Sequence, residues 1–301
     1  MEVVITDMDY EVDYFEGKTR KILVLGSGGQ VGAYLTEYLR CADVEVMEFD
    51  ITNGPDQDMT VIPNGELEAK IYMADFVYFL AFDVGGSHYL KKYQHTFNFI
   101  DNNTRLMANA FGLIEKYKKP FVFASSQMSN MSYSPYGVLK RVGELYTKSL
   151  GGLIVKFWNV YGIEKDMDKA HVITDFIRKG FETGVIDMMT DGTEAREFLY
   201  AEDCCEALEK IMEEYSNLSS DDELHITTGV YTSILEIAQE IRELFDNIGK
   251  KVEVIPSEKK DEVQKDARNE PDSFIRKIWQ PKTSVKDGLK KVFEVMKNDW
   301  V

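Results

Sequence analysis

A chain of 301 residues that is 44% hydrophobic can bury one large α/β domain or two smaller ones. Its formal charge of −17 makes nucleic acid and anionic membrane surfaces poor partners, and an anionic substrate would need a local basic patch against that field. No apolar run reaches membrane-spanning length, the acidic N-terminus lacks a signal-peptide pattern, and Cys41, Cys204 and Cys205 show no metal-ligand spacing; a reducing, cytoplasmic setting with no metal is expected.

The leader to Lys21 could add a strand at Val3-Val4-Ile5 or stand outside the fold. The run Ile22-Leu23-Val24-Leu25 reads as a buried parallel strand. It enters Gly26-Ser27-Gly28-Gly29-Gln30-Val31-Gly32 and then a helix over 33–40. Glycines at a first β-α turn let the backbone approach a pyrophosphate held at the helix N-terminus. The spacing fits G-x-x-G-x-x-G at Gly26, Gly29 and Gly32, because G-x-G-x-x-G would need glycine where Val31 stands. A purely structural turn is the alternative. A strand over 44–49 ends at Asp50, which is placed either to hold an adenosine ribose, favouring NAD over NADP, or to serve as a strand-end turn residue.

A loop with Asp58 and Met59, a helix near 66–72 and a strand over 76–81 come next. One long helical stretch is expected over 89–117, then a strand over 121–124, a helix from about 136 to 150 and a strand over 153–157. That alternation predicts an α/β fold, a Rossmann-type doubly wound parallel sheet. The second half is less regular and suggests a smaller α+β domain. Helices are expected over 172–183, 203–215, 234–248 and 285–297, with a short strand over 252–255. The charged run 257–270 reads as a surface loop or one ordered only by a ligand. The expected domains are 1–162, with 197–216 returning to it, and 163–301.

The segment Ser134-Pro135-Tyr136-Gly137-Val138-Leu139-Lys140 follows Phe121-Val122-Phe123-Ala124-Ser125-Ser126. On a helix, i and i+4 share a face, so the Tyr136 phenol and the Lys140 ammonium would point the same way. A nearby cation favours phenolate and lowers a tyrosine's pKa. Moving it from about 10 to about 7 needs roughly 4 kcal/mol, more than one lysine supplies but within reach of a lysine and a cationic nicotinamide ring together. The pair therefore calls for a dinucleotide site, which the glycine turn provides. Tyr14 and Lys18 repeat the spacing in the leader with no strand before them, a coincidence on this reading.

In type and order these residues resemble the extended short-chain dehydrogenase/reductase family, the nucleotide-sugar epimerases and dehydratases, over most of the chain beyond residue 21. Leu80-Ala81-Phe82-Asp83-Val84-Gly85-Gly86, Asn102-Asn103-Thr104 and Ala124-Ser125-Ser126 look most like GDP-mannose 3,5-epimerases. Asn159-Val160-Tyr161-Gly162, His171-Val172-Ile173, Asp191-Gly192 through Arg196 to Asp203, and Trp279-Gln280-Pro281-Lys282 are similar to later family segments. The resemblance implies that Ser126 hydrogen-bonds the reacting carbon's oxygen, Tyr136 takes its proton, and Lys140 tunes Tyr136 and holds the nicotinamide ribose. It implies an NAD site made by Gly26, Gly29, Gln30, Val31 and Gly32 at the pyrophosphate, Asp50 at the ribose, Asp58 and Met59 at the adenine, with Leu80, Ala81 and Asn103 beside them. Gly85 and Gly86 would admit the sugar. Lys169 matches an acid/base lysine, and Asn159, Arg196 and Arg268 would meet the nucleotide-sugar diphosphate. Ser126 could instead cap the next segment, Asn159 could be a turn residue, Arg196 and Arg268 solvated cations, and His171 a structural histidine.

Departures narrow the chemistry. Only nine residues separate Ser126 from Tyr136, where family members carry a longer loop. Gln127 and Met128 stand where dehydratases place an acidic pair, and Met128 where 3,5-epimerases place a cysteine; neither is a general acid. Lys156 stands at a strand position that is often arginine. The expected function is an NAD-dependent nucleotide-sugar epimerase working by transient hydride abstraction at C4, with a 4-keto-sugar reductase or a silent dinucleotide sensor as alternatives. A homodimer is expected from the resemblance, and no nucleic acid or membrane partner.

Overall fold

The computed structural model describes residues 19–263 and 270–298; the leader to Lys18, with Tyr14, and Arg268 lie outside the described residues. Strand β1 (Arg20–Leu25) is followed by α1 (Gln30–Arg40), β2 (Val44–Phe49), α2 (Gly65–Met73) and β3 (Phe76–Phe79). Then come α3 (Ser87–Tyr93), α4 (Phe97–Tyr117), β4 (Phe121–Ser126), α5 (Pro135–Ser149), β5 (Leu153–Phe157) and β6 (Asn159–Tyr161). The remainder is α6 (Val172–Glu182), β7 (Val185–Asp187), β8 (Ala195–Tyr200), α7 (Ala201–Glu213), β9 (Leu224–Ile226), β10 (Tyr231–Ser233), α8 (Ile234–Asn247), β11 (Glu253–Ile255) and α9 (Val285–Asn298).

Six parallel strands run in the order β2-β1-β3-β4-β5-β9. Both faces of this sheet are covered, which is why its strands are apolar without alternation. Leu23 and Leu25 pack with α2, α4 and α5, while Ile22 and Val24 pack with α1 and α7. Leu25 is in register with both Phe49 and Phe79, so the chain leaves β1, β2 and β3 at one level. That edge carries Gly26, Asp50 and Leu80, at the point where the strand order reverses direction. A separate apolar cluster unites α6, α8 and α9 around Phe176, Ile177, Phe245 and Phe293. Beside it lie a three-stranded sheet, β10-β8-β6, and the parallel pair β11-β7.

The structure corrects several sequence expectations. The expected helix over 89–117 is two helices. Thr96 is extended, with φ −84° and ψ 151°, and its hydroxyl accepts from the Phe99 N–H to start α4. β3 stops at Phe79, because the next residues bend over the glycine turn. β7, β8, β9 and β10 were not foreseen; three of them are three residues long, too short for any hydrophobic period to show. The charged run is pinned rather than floating in its described part. Ser257 N–H donates to the Thr190 carbonyl, Asp191 N–H to the Lys259 carbonyl, and Val263 is buried.

Candidate active site

The glycine turn is built by backbone packing. Gly26 has φ +88°, and a Cβ there would lie 2.6 Å from the Ala81 nitrogen. A Cβ on Gly32 would lie 1.9 Å from the Gly26 carbonyl oxygen. These two glycines join strand, turn and helix at contact distance. Gly29 differs: its Cβ would meet only the Gly26 oxygen, at 3.4 Å. Gly29 is the N-cap of α1, offers no side-chain cap, and the first turn carries no acidic residue. The open N–H groups there suit an anion. Turned to satisfy both neighbours, the Gln30 amide bridges the Val160 carbonyl and the Gly162 N–H, and Val31 packs into the core.

Asp50 stands beside this turn, its Oδ1 only 2.8 Å from where a Gly28 Cβ would be. The same oxygen accepts from the Thr52 N–H at 2.9 Å and the Thr52 hydroxyl at 2.8 Å. Asp58 accepts from the Thr60 N–H and hydroxyl at 2.8 and 2.7 Å. Met59 is buried, and its carbonyl accepts from the Asn109 amide. Fully buried Asn103 clamps the loop after β3: its Oδ1 accepts from the Asp83 N–H at 2.7 Å and its Nδ2 donates to the Asp83 carbonyl at 3.1 Å. The loop so fixed holds Leu80 and Ala81 over the turn. Turn, helix end and strand-end carboxylate together fit a dinucleotide: they leave an unfilled approach at Gly29 and put an acid on the neighbouring strand.

The short connection between Ser126 and Tyr136 explains how the dyad is held. A single 3₁₀ turn (Gln127–Asn130) buries Met128, and Ser134 caps α5 by accepting from the Gly137 N–H. Pro135 occupies the first turn, where no N–H is needed. Gly137 presses on the Met128 carbonyl, with 2.2 Å to a notional Cβ. Tyr136 and Lys140 then share the buried face of α5. The Ser126 side chain accepts from the Met128 N–H at 3.1 Å and stands near enough to the Tyr136 phenol to act on its titration, so it caps and neighbours the dyad at once. Lys140 donates to the Ala124 carbonyl at 2.6 Å.

The electrostatics of the pair are governed by burial. Burial pushes the Tyr136 phenol up to about 12, against a smaller opposing pull from Ser126, and burial brings the Lys140 ammonium down to about 7, against a smaller opposing pull from Glu144. The protein's own groups therefore do not make the phenol acidic, and Lys140 is only partly charged near neutrality. A residue the sequence reading did not single out accounts for part of this dryness. The Phe82 ring lies 3.7 Å from the Lys140 nitrogen and meets Tyr136 edge-on at 5.7 Å.

A cavity of about 130 Å³ is lined by α3, β6, α6, β8 and the segment 259–263, and by none of Ser126, Tyr136 and Lys140. Asn159, Arg196, His171 and Lys91 all face it. Arg196 is not a solvated cation: its side chain is 16% exposed and paired with Asp261. Lys260 pairs with Asp191, and Lys91 with Glu262 at 2.6 Å. Lys169 lies 3.3 Å from Asp83, which also accepts from the Tyr89 hydroxyl at 2.6 Å. Gly85 and Gly86 have a reason within the chain: a Cβ would meet Tyr89 at 2.8 Å or the Ala170 oxygen at 2.4 Å. His171 Nδ1 is 2.6 Å from Glu164, which also accepts from the His171 N–H. Burial of the imidazole works against its charge, but the Glu164 carboxylate outweighs it and holds the pKa above the ordinary histidine value. Asp261 meets Arg196 across 65 positions of sequence, so no local pattern could have announced it; Glu194, which also lines this cavity and accepts from the Thr190 hydroxyl four residues before it, was not singled out by the sequence reading either. Among the described residues, no group of three or more His, Cys, Asp or Glu could hold a metal, and no helix is long and apolar enough to cross a membrane.

Residues 22–226 match the NAD dependent epimerase/dehydratase family. A GDP-L-fucose synthase from Sinorhizobium fredii is 28% identical over 172 residues, 53% of each chain. A putative UDP-glucose 4-epimerase from Methanocaldococcus jannaschii is 31% identical over 182 residues, 55% of this chain and 54% of the other. These matches span about half the length of the curated relatives. In fold, the chain is similar to epimerase Mth375 from Methanothermobacter thermautotrophicus, with a TM-score of 0.79 at 19% identity over 94% of this chain and 93% of that one. The family match covers the glycine turn, the Ser126-Tyr136-Lys140 set and the cavity wall through Arg196, and on that ground this chain belongs to the NAD dependent epimerase/dehydratase family.

Proposed function

We propose that the protein is an NAD-dependent epimerase of a nucleotide-diphosphate hexose, acting by reversible oxidation at C4. The observation that carries this reading is the dry juxtaposition of Ser126, Tyr136 and Lys140 at the sheet edge that also bears the glycine turn. A bound NAD would supply a reversible hydride acceptor for the sugar carbon. Ser126 would hold the oxygen of that carbon, and Tyr136 would receive the hydroxyl proton and give it back. Lys140 would hold the nicotinamide ribose, and its ammonium with the cofactor's positive ring would offset the burial that keeps the phenol protonated. Gly26, Gly29, Gln30, Val31 and Gly32 would serve the pyrophosphate, Asp50 the adenosine ribose, and Asp58 and Met59 the adenine. Asn159 and Arg196, with Arg268 from beyond the described residues, would meet the substrate diphosphate. Gly85, Gly86 and Lys169 would border the sugar.

The same proposal divides the chain into a cofactor part, 1–162 with 197–216, and a substrate part, 163–301. The packing of α7 against α1 supports the return of 197–216. A cytoplasmic homodimer belongs to it too. Phe97 and Ile100 of α4 and Val138, Val142, Leu145 and Tyr146 of α5 form an exposed apolar stripe at helical spacing, suited to a second copy. Closeness to GDP-mannose 3,5-epimerases rests on motifs alone, and buried Met128 offers no proton at that position. That favours hydride chemistry at C4 over enolisation, and it leaves a 4-keto-sugar reductase as the second reading.

The test is to incubate the NAD-loaded protein with a panel of nucleotide sugars in D2O and follow them by NMR. Inversion at C4 without deuterium at C3 or C5 is expected. Tyr136→Phe should lower turnover by about 10²–10⁴-fold and leave NAD binding nearly intact. Near-normal turnover by that variant removes Tyr136 from the chemistry, and deuterium incorporation overturns the C4 route.

A further inference from the structure

Two residues that line the cavity each bury a polar atom without a partner, and the two atoms are of opposite kind. Glu194 Oε2 is an acceptor and Asn159 Nδ2 is a donor. Leaving such a group unmet costs about 1–3 kcal/mol, more for a charged one, so a ligand supplying both partners has that much to gain. Their placement is close. Glu194 immediately precedes β8, Arg196 is two residues further along, and both line the cavity. Asn159 pairs in register with Phe198 on that strand and lines the cavity too. Acceptor, guanidinium and amide donor thus stand side by side.

We propose that Glu194 is a specificity residue that accepts a hydrogen bond from a ribose hydroxyl of the substrate's nucleoside, so that the site selects ribonucleoside over deoxyribonucleoside diphosphates. This rests on the nucleotide-sugar reading of the same pocket. A diphosphate offers acceptors to Asn159 and Arg196 but, ionised, no donor to Glu194, which would repel it. The neighbouring donor therefore has to be neutral. Glu194 Oε1 already accepts from the Thr190 hydroxyl at 2.5 Å, which leaves one oxygen. A single hydroxyl matches one oxygen. The paired N–H groups on the edge of a guanine would call for both. The carboxylate also sets a limit on the ligand: a phosphate on that hydroxyl would meet a fixed negative charge and lose its only donor.

The test measures binding of UDP, 2′-deoxy-UDP, 3′-deoxy-UDP, GDP and 2′-deoxy-GDP to the NAD-loaded protein and to its Glu194→Ala and Glu194→Gln variants, by calorimetry. The protein should prefer the ribo form over at least one deoxy form by about tenfold. Glu194→Ala should erase that preference by weakening only the ribo form. Glu194→Gln, which keeps the shape and a carbonyl acceptor, should retain part of it. Equal binding of ribo and deoxy forms by the unaltered protein overturns the proposal. So does a loss in Glu194→Ala shared by GDP and deoxy-GDP but not UDP, which would make Glu194 a reader of the base. Failure of every diphosphate to bind would instead bring down the nucleotide-sugar reading itself.

Discussion

The two ends of the site are built by opposite means. The cofactor end is a close-packed piece of backbone and ring. Gly26 touches Ala81, Gly32 touches Gly26, and Phe82 roofs Lys140. The cavity end is a set of matched charges, in which Arg196, Lys260 and Lys91 hold Asp261, Asp191 and Glu262. Packing of the first kind gives fixed geometry and excludes water. Pairing of the second kind leaves cations that an anionic ligand can win over, because partly exposed ion pairs contribute little net stability. On the proposed reading, a chain of charge −17 keeps its cations occupied until a diphosphate competes for them.

The largest effect expected from this contrast is at the glycines. Gly32→Ala forces its Cβ into the Gly26 carbonyl and should destabilise the protein by about 3 kcal/mol, lowering Tm by roughly 6 °C or more. Gly29→Ala meets nothing closer than 3.4 Å and should leave Tm within about 2 °C while weakening NAD, in thermal melts and NAD titration. Equal melting losses would break the distinction between a structural and a ligand-facing glycine.

A middle-sized effect tests whether the cavity's ion pairs yield to ligand. Arg196→Ala should weaken UDP binding by about tenfold, and Asp261→Asn should strengthen it about three-fold, with the gain shrinking as salt rises. Calorimetry at two ionic strengths checks both. If Asp261→Asn weakens binding, Asp261 supports Arg196 rather than competing for it.

The smallest effect concerns Glu164 and His171. The pair holds the imidazole above its usual pKa and the carboxyl below its own. Its stabilisation is thus fully present between those two titrations. It fades as pH rises through the folded-state His171 value, and as pH falls through the folded-state Glu164 value. The His171 side chain is 40% exposed, so the contribution is modest, about 1 kcal/mol after screening. Denaturation of the protein and of His171→Asn across pH 4 to 9 should show the two curves closest at the extremes and furthest apart in between. A constant gap would mean that His171 stabilises by packing alone.

Legibility from sequence follows the same division. The turn at Gly26, the i,i+4 relation of Tyr136 and Lys140, and the parallel strands are local patterns, each fixed by a few neighbouring residues and a period of the backbone. Ser126 proved to be cap and dyad neighbour together, which no local rule separates. The break at Thr96 was hidden because polar and apolar residues on both sides keep a helical rhythm, and only the cap geometry ends it. Asp261 looked like one charge among many until folding set it against Arg196, 65 positions away in sequence.

By itself, then, the order of residues determined the first five strands of the sheet, the glycine turn and the helix face shared by Tyr136 and Lys140, since each shows as a short pattern of neighbouring residues. Tertiary structure alone decided how dry the Tyr136 and Lys140 pair is, which carboxylate occupies Arg196, and which atoms of Asn159 and Glu194 are buried without a partner. Burial and charge pairing depend on what comes near from far along the chain, and that is settled only when the elements pack.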